Sequence, residues 1–134
     1  MKSLQSSIVV LAFVLALTSC RSSTSPPSRL REGNWGGNHV GVLVEATQVT
    51  FLFDCAGGIV NGPIPLAADG TFDVTGTFSD NGNAFNVDHT PHATRYTGRL
   101  TGNQLTFTRV VLDGSRPDAT FSAELGAAWT VIAC

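Results

Sequence analysis

The chain has 134 residues, of which 43% are hydrophobic and only 13% are charged. Eight Lys and Arg residues stand against ten Asp and Glu residues, so the net charge is −2 at pH 7 with histidine neutral. The positive charges form no run or stripe, which argues against a nucleic-acid-binding protein. The length allows one small domain with a single hydrophobic core.

The first twenty residues have the three parts of a secretory signal. Lys2 supplies the positive start, and residues 8–17 form an unbroken apolar run. That run is too short for a membrane-spanning helix, which needs about 20 apolar residues. The run ends in Leu17-Thr18-Ser19-Cys20. This tetrapeptide resembles the bacterial lipobox, in which an aliphatic residue and two small residues precede a cysteine that receives lipid.

The lipobox resemblance implies a lipoprotein signal peptide over residues 1–19, cut before Cys20, and a lipid anchor such as palmitate-bearing diacylglycerol on the Cys20 sulfur. Stable anchoring needs more than one acyl chain. An ordinary signal peptide, in which Cys20 is incidental, is the alternative. Arg21 follows the cysteine, and Asp at that place tends to mean inner-membrane retention in Gram-negative lipoproteins. The resemblance therefore implies a location in the cell envelope, on the outer membrane if the host is Gram-negative.

Residues 20–31 contain the anchor cysteine and a stretch rich in Ser and Pro. Such a composition buries little apolar surface, and we expect an extended linker. A folded domain is expected over residues 32–134, and it is expected to be a monomer.

The domain sequence consists of short alternating runs separated by turn signals. Asp69-Gly70, Gly102-Asn103 and Asp113-Gly114 predict hairpin turns, because Gly and Asn accept the positive φ that such turns need. The spacing predicts an all-β fold, an up-and-down antiparallel β-barrel of about eight short strands, with a β-sandwich as the alternative. A barrel of that size is either filled by side chains or holds one small ligand. The predicted strands are 35–45, 48–55, 59–66, 71–78, 94–101, 104–112, 119–125 and 129–134.

Two cysteines remain once Cys20 is assigned to lipid. An exported protein meets an oxidising compartment, so Cys55 and Cys134 predict a disulfide. Neither cysteine has a CxxC partner or a nearby His, which argues against a catalytic thiol or a metal site.

Gly33-Asn34-Trp35 stands at the start of the predicted domain. It resembles the Gly-x-Trp signature of the calycin barrels, which include the lipocalins and avidins. The resemblance implies a calycin-like barrel in which Trp35 closes one end. In lipocalins an Arg from the last strand commonly covers that Trp. The predicted last strand here carries no Arg, so this half of the signature is missing.

Alternation from Leu105 and Phe107 places Arg109 on the inward face of its strand. A buried Arg would need a carboxylate partner or an anionic ligand. The adjacent apolar residues Val110 and Val111 instead favour a β-bulge that turns Arg109 outward. If the barrel holds a ligand, the candidate contacts are Trp35, Tyr96 and Arg109.

Asp88, His89 and His92 are the candidate metal ligands, since His and Asp side chains at this spacing could hold zinc. Pro91 between the two histidines argues against a helical pairing, and two exposed histidines in a polar loop are the favoured interpretation. His39 has no evident carboxylate partner. No catalytic constellation and no cofactor motif is recognisable, and no cofactor is expected.

The sequence therefore predicts a membrane-anchored lipoprotein that binds either a small apolar ligand inside its barrel or an exported protein through its loops. A structural envelope protein without a discrete ligand, an inhibitor of an exported hydrolase and a metal-dependent enzyme are the alternatives. A solidly packed core would favour the protein partner, and a central cavity would favour the small ligand.

Overall fold

The computed structural model describes residue 25 and residues 27–82 and 87–134. The predicted signal peptide over residues 1–19, the lipid-anchor residue Cys20 and most of the predicted linker lie outside the described residues. Within the described ranges, no helix is both long and apolar enough to span a membrane.

Eight antiparallel strands close into an up-and-down barrel, in which each strand pairs with the next and β1 pairs with β8. The prediction of an all-β antiparallel barrel is confirmed, and the alternative of a sandwich is excluded. The strands are β1 (Gly33–Gly37), β2 (Val40–Val44), β3 (Gln48–Phe53), β4 (Ala56–Asn61), β5 (Thr71–Asp80), β6 (His92–Thr101), β7 (Gln104–Val111) and β8 (Ala119–Leu125).

Two of the predicted strands are wrong, and a third, 59–66, is displaced, since β4 ends at Asn61 and residues 62–66 belong to the β4–β5 connection. Residues 35–45 form two strands rather than one, because the chain reverses at Asn38 and His39, and His39 adopts a φ of 62° in that turn. Residues 129–134 form no strand, although Thr130 makes an isolated parallel bridge to Asn38. The two errors cancel, so the predicted number of strands was right although their positions were not.

Alternation fills the barrel with apolar side chains, because every second residue of a strand points inward. Aromatic rings occupy the centre, with the Phe51 ring stacked on Tyr96 at 4.3 Å between centroids and Phe53 4.7 Å from Phe121. Phe107 packs against Phe51 at 5.1 Å and against Phe121 at 5.5 Å. The interior is therefore filled by side chains rather than open as a ligand chamber.

The two ends of the barrel differ in what they carry. We call one end the base. There the chain enters through residues 27–32 and passes through the β2–β3, β4–β5 and β6–β7 connections. We call the other end the loop end. It carries the β1–β2 turn (residues 38–39), the β3–β4 turn (54–55), the β5–β6 connection and the β7–β8 connection (112–118).

The expected linker ends earlier than residue 31, because the residues before β1 belong to the base. Leu30 is buried in the core, and its N–H donates to the Ile64 carbonyl at 2.9 Å. The Ser28 carbonyl accepts a hydrogen bond from the Leu66 N–H at 2.9 Å. Leu30 attaches this segment to the barrel because its apolar side chain is buried, whereas the neighbouring Ser and Pro residues bury little surface.

The C-terminal segment, residues 126–134, returns from the base to the loop end along the outside of the β1–β2 hairpin. Its Thr130 and Ile132 carbonyls accept hydrogen bonds from the N–H groups of His39 and Cys55, at 2.7 and 2.9 Å. Cys134 then forms the predicted disulfide with Cys55, with the two Cα atoms 5.0 Å apart. The segment is thereby fastened to both two-residue turns of the loop end.

Candidate functional site: the loop end of the barrel

Arg109 points into the barrel, and the β-bulge favoured from the sequence is absent. The β6–β7 register is continuous through Arg109↔Tyr96, Val110↔Arg95 and Val111↔Thr94. Val111 is buried whereas Val110 is only half-buried, so strict alternation holds in spite of the two adjacent valines. Two neighbouring apolar residues therefore did not signal a bulge, because Val110 belongs to the outer face.

The Arg109 guanidinium lies inside the barrel towards the loop end, and only 8% of the residue's surface is exposed. Its central carbon is 4.4 Å from the Phe78 ring centroid and 5.4 Å from that of Phe53. Cation–π attraction of this kind partly compensates a buried cation. One η nitrogen donates to the Pro117 carbonyl at 3.2 Å, whereas Nε is buried without a hydrogen-bond partner. Burial lowers the pKa of Arg109 from its usual range, which reflects the cost of keeping this cation out of water.

Tyr96 is the cross-strand neighbour of Arg109 and is fully buried. Its hydroxyl donates to the Thr77 carbonyl at 2.7 Å. The hydroxyl occupies space above Gly58, where an added Cβ would come within 2.0 Å of the Tyr96 oxygen. Burial raises the pKa of Tyr96 well above its usual range. Tyr96 thus supports the interior wall beside Arg109 as a neutral phenol.

Trp35 is also fully buried, but it lies towards the base and does not join Arg109. Its indole N–H donates to the Arg31 carbonyl at 3.1 Å. The side chain of Arg31 has other partners, because its guanidinium donates to the Gly102 carbonyl at 2.9 Å and to Asn103 Oδ1 at 2.8 Å. Of the three candidate ligand contacts, the fold therefore brings together only Tyr96 and Arg109.

The candidate metal ligands are committed to separate hydrogen bonds. His89 Nδ1 lies 2.7 Å from the Asp80 carbonyl oxygen, and His92 Nδ1 lies 2.6 Å from Asp113 Oδ2. Hydrogen bonds from Thr90 hold the pKa of Asp88 below its usual range. Among the residues that the structure describes, no three His, Cys, Asp or Glu side chains are placed to hold a metal.

The loop end also contains paired polar and charged side chains that the sequence did not indicate. All three histidines of the chain lie there, and His39 Nδ1 is 2.5 Å from Asp54 Oδ2. The other Asp54 carboxylate oxygen accepts a hydrogen bond from the Ile132 N–H at 2.8 Å. Asp80 pairs with Arg116 of the β7–β8 connection. These partners are distant in sequence, and only the hairpin ends bring them together.

Two large apolar side chains are exposed at the loop end. Leu112, just after β7, is 55% exposed, and Ile132 of the C-terminal segment is 58% exposed. The remaining large exposed apolar residue in the described part of the chain is Ile59, on the barrel wall and 41% exposed. A search against protein-family models, curated proteins and solved structures finds no match to this chain.

Proposed function

We propose that this chain is a lipid-anchored binding protein of the cell envelope, and that its barrel presents the loop end to an exported protein partner. The observation that carries the proposal is the filled interior. Stacked and tilted rings occupy the space where a small apolar ligand would sit. Binding at the surface is then favoured over binding inside, and Leu112 and Ile132 offer apolar contacts there.

The position of the linker also supports a loop end that faces away from the membrane. The described residues before β1 meet the barrel at its base, where the Leu30 N–H donates to the Ile64 carbonyl. The loop end lies at the opposite end of the strands. A chain anchored through Cys20 would therefore hold its base towards the membrane and leave the loop end accessible to other exported proteins.

The anchor is tested by replacing Cys20 with Ala and fractionating cells. We expect the variant to leave the membrane fraction, whereas the wild type stays in it. A variant that stays membrane-bound after its signal is cut elsewhere would contradict the lipoprotein assignment.

The binding surface is tested with the photoreactive residue benzoylphenylalanine, placed at Leu112 or, as the matched control, at Ile59. Both positions are exposed and apolar, but only Leu112 lies at the loop end. We expect illumination of intact cells to give a discrete crosslinked product from position 112 and none from position 59. Equal products from both positions, or none from either, would count against a partner at the loop end.

Native mass spectrometry of the exported protein separates this proposal from a small-ligand barrel. We expect the mass of the polypeptide with its lipid and one disulfide. A further bound mass that leaves on unfolding would instead indicate a ligand inside the barrel.

A further inference from the structure

Arg109 is the only buried charged residue in the part of the chain that the structure describes. A buried cation is costly unless a counter-ion or a full set of hydrogen bonds compensates it. No Asp or Glu in the described ranges forms an ion pair with Arg109. Its Nε–H has no acceptor, and within the described ranges the guanidinium donates only one hydrogen bond, from an η nitrogen to the Pro117 carbonyl. The guanidinium therefore retains unused donor capacity.

The acids whose charges act on Arg109 form no ion pair with it in the described part of the chain. These acids are Asp80, which pairs with Arg116, and Asp118. Arg116 adds a second positive charge near the Arg109 guanidinium. Arg109 thus has no direct counter-ion, whereas its neighbour Arg116 is paired with Asp80.

The walls around Arg109 are aromatic. Phe78, Phe53 and Phe121 surround the guanidinium, with Phe121 at 5.9 Å from its central carbon. A charge-assisted hydrogen bond is stronger where apolar walls exclude water. Arg109 is 8% exposed, and its guanidinium lies beside the Pro117 carbonyl of the β7–β8 connection, so an anionic group would have to approach it from the loop end.

We propose that Arg109 receives a carboxylate side chain of the protein partner, inserted at the loop end. That the carboxylate comes from a protein rests on the proposed function. That Arg109 binds a carboxylate rests on the surroundings of its guanidinium. A planar guanidinium suits a carboxylate because its N–H groups match the two oxygens.

The chemistry is tested on the exported protein carrying Cys20→Ala, with sodium benzoate as the probe and benzamide as its neutral counterpart. The readout is the Arg109 Nε–H signal in a nitrogen-15 NMR spectrum. We expect benzoate to shift that signal saturably, and benzamide or sodium chloride at equal concentration to leave it in place. Absence of a saturable benzoate shift would overturn the carboxylate site.

Arg95 provides an internal control in the same spectra. Its Nε–H already donates to Asp73 Oδ1 at 2.8 Å on the outer wall, so benzoate has no free Nε–H to occupy there. We expect its signal to stay in place. Equal shifts at Arg95 and Arg109 would show unspecific binding and would overturn the proposal.

Variants give a second measurement of the same site. Arg109→Gln should weaken benzoate binding at least about tenfold, because charge-assisted hydrogen bonds are lost. Arg95→Gln, the matched control, should bind benzoate as the wild type does. Unchanged benzoate binding by a folded Arg109→Gln protein would contradict the assignment.

The source of the carboxylate is tested by competition. Benzoate should suppress the crosslink from benzoylphenylalanine at position 112 over the concentration range in which it shifts the Arg109 signal. Saturable benzoate binding without loss of the crosslink would overturn the partner as the source and leave a free carboxylic acid. Absence of any crosslink would count against the proposed function, while the NMR titration would still decide whether Arg109 binds a carboxylate.

Discussion

The indole of Trp129 lies directly on Gly41 on the outer face of the barrel. A Cβ added at Gly41 would come within 2.9 Å of two carbons of the indole ring. Gly36, the cross-strand partner of Gly41, is covered in the same way, since an added Cβ would lie 2.2 Å from the Ala127 carbonyl oxygen. Because the two glycines have no side chains, the C-terminal segment packs directly against the backbone of the β1–β2 hairpin on its way to the loop end.

Gly41→Ala should therefore destabilise the protein by about 1–3 kcal/mol, as overpacked sites do. The measurement is the free energy of unfolding in urea with the disulfide intact. Trp129→Ala provides the matching background, because the added methyl group then meets no ring. We expect the cost of Gly41→Ala to fall close to zero in that background, and an additive double variant would contradict the contact.

The Cys55–Cys134 disulfide closes a loop with a sequence separation of 79 residues. Replacing both cysteines with Ala should lower the free energy of unfolding by about 4 kcal/mol in the chain-entropy model. The C-terminal segment should also detach more often. Hydrogen exchange at the His39 and Cys55 amides, which donate to Thr130 and Ile132, should accelerate far more than exchange in β6 and β7. Equally faster hydrogen exchange throughout the barrel would show that the C-terminal segment detaches only when the whole barrel unfolds.

Tyr96 is the only tyrosine in the chain, so its ionisation is directly visible in the ultraviolet spectrum. Burial raises the pKa of Tyr96 in the folded state well above the usual tyrosine value of 10.0. Its contribution to stability is therefore complete below that value and is lost as the pH rises towards the folded-state pKa. We expect no phenolate absorption near 295 nm near pH 10 in the folded protein, and its immediate appearance in denaturant. A normal titration curve in the folded protein would contradict the burial of the ring.

Asp113 should contribute to the acid sensitivity of the loop end. Hydrogen bonds from the Ser115 side chain and backbone, and then from His92, hold the pKa of Asp113 well below the usual aspartate value of 3.8. Stability from this group is present above that value and is lost as the pH falls towards the folded-state pKa. Asp113→Asn should thus lower the urea midpoint at pH 6, with a difference from wild type that shrinks below pH 3.8. A pH-independent difference would assign the effect to packing rather than to charge.

Arg109→Met should leave the free energy of unfolding unchanged or raise it by about 1 kcal/mol. An apolar side chain of similar length removes the buried charge and its unpartnered Nε, and such replacements are often neutral or stabilising. Arg95→Met is the control, since its solvent-exposed pair with Asp73 contributes little to stability. A large loss of stability in Arg109→Met would show that Arg109 has a structural role rather than one reserved for binding.

Several predictions from the sequence depended on local patterns and were confirmed. Alternation in the predicted strand 104–112 placed Leu105, Phe107 and Val111 inside, and all three are buried. The pairing of Cys55 with Cys134 followed from the count of cysteines left after the lipobox. The lipid anchor at Cys20 stays a prediction, since it lies outside the described residues.

The sequence by itself determined the strand periodicity, the all-β barrel class and the disulfide, because these follow from side-chain alternation and from the number of cysteines. Only the tertiary structure decided the direction of Arg109, the pairing of His39 with Asp54 and the seat of Trp129 on Gly41. The partners in these contacts are separated along the chain by hairpins or by most of the domain. Their positions depend on how eight strands close into one barrel, and no local pattern encodes that closure.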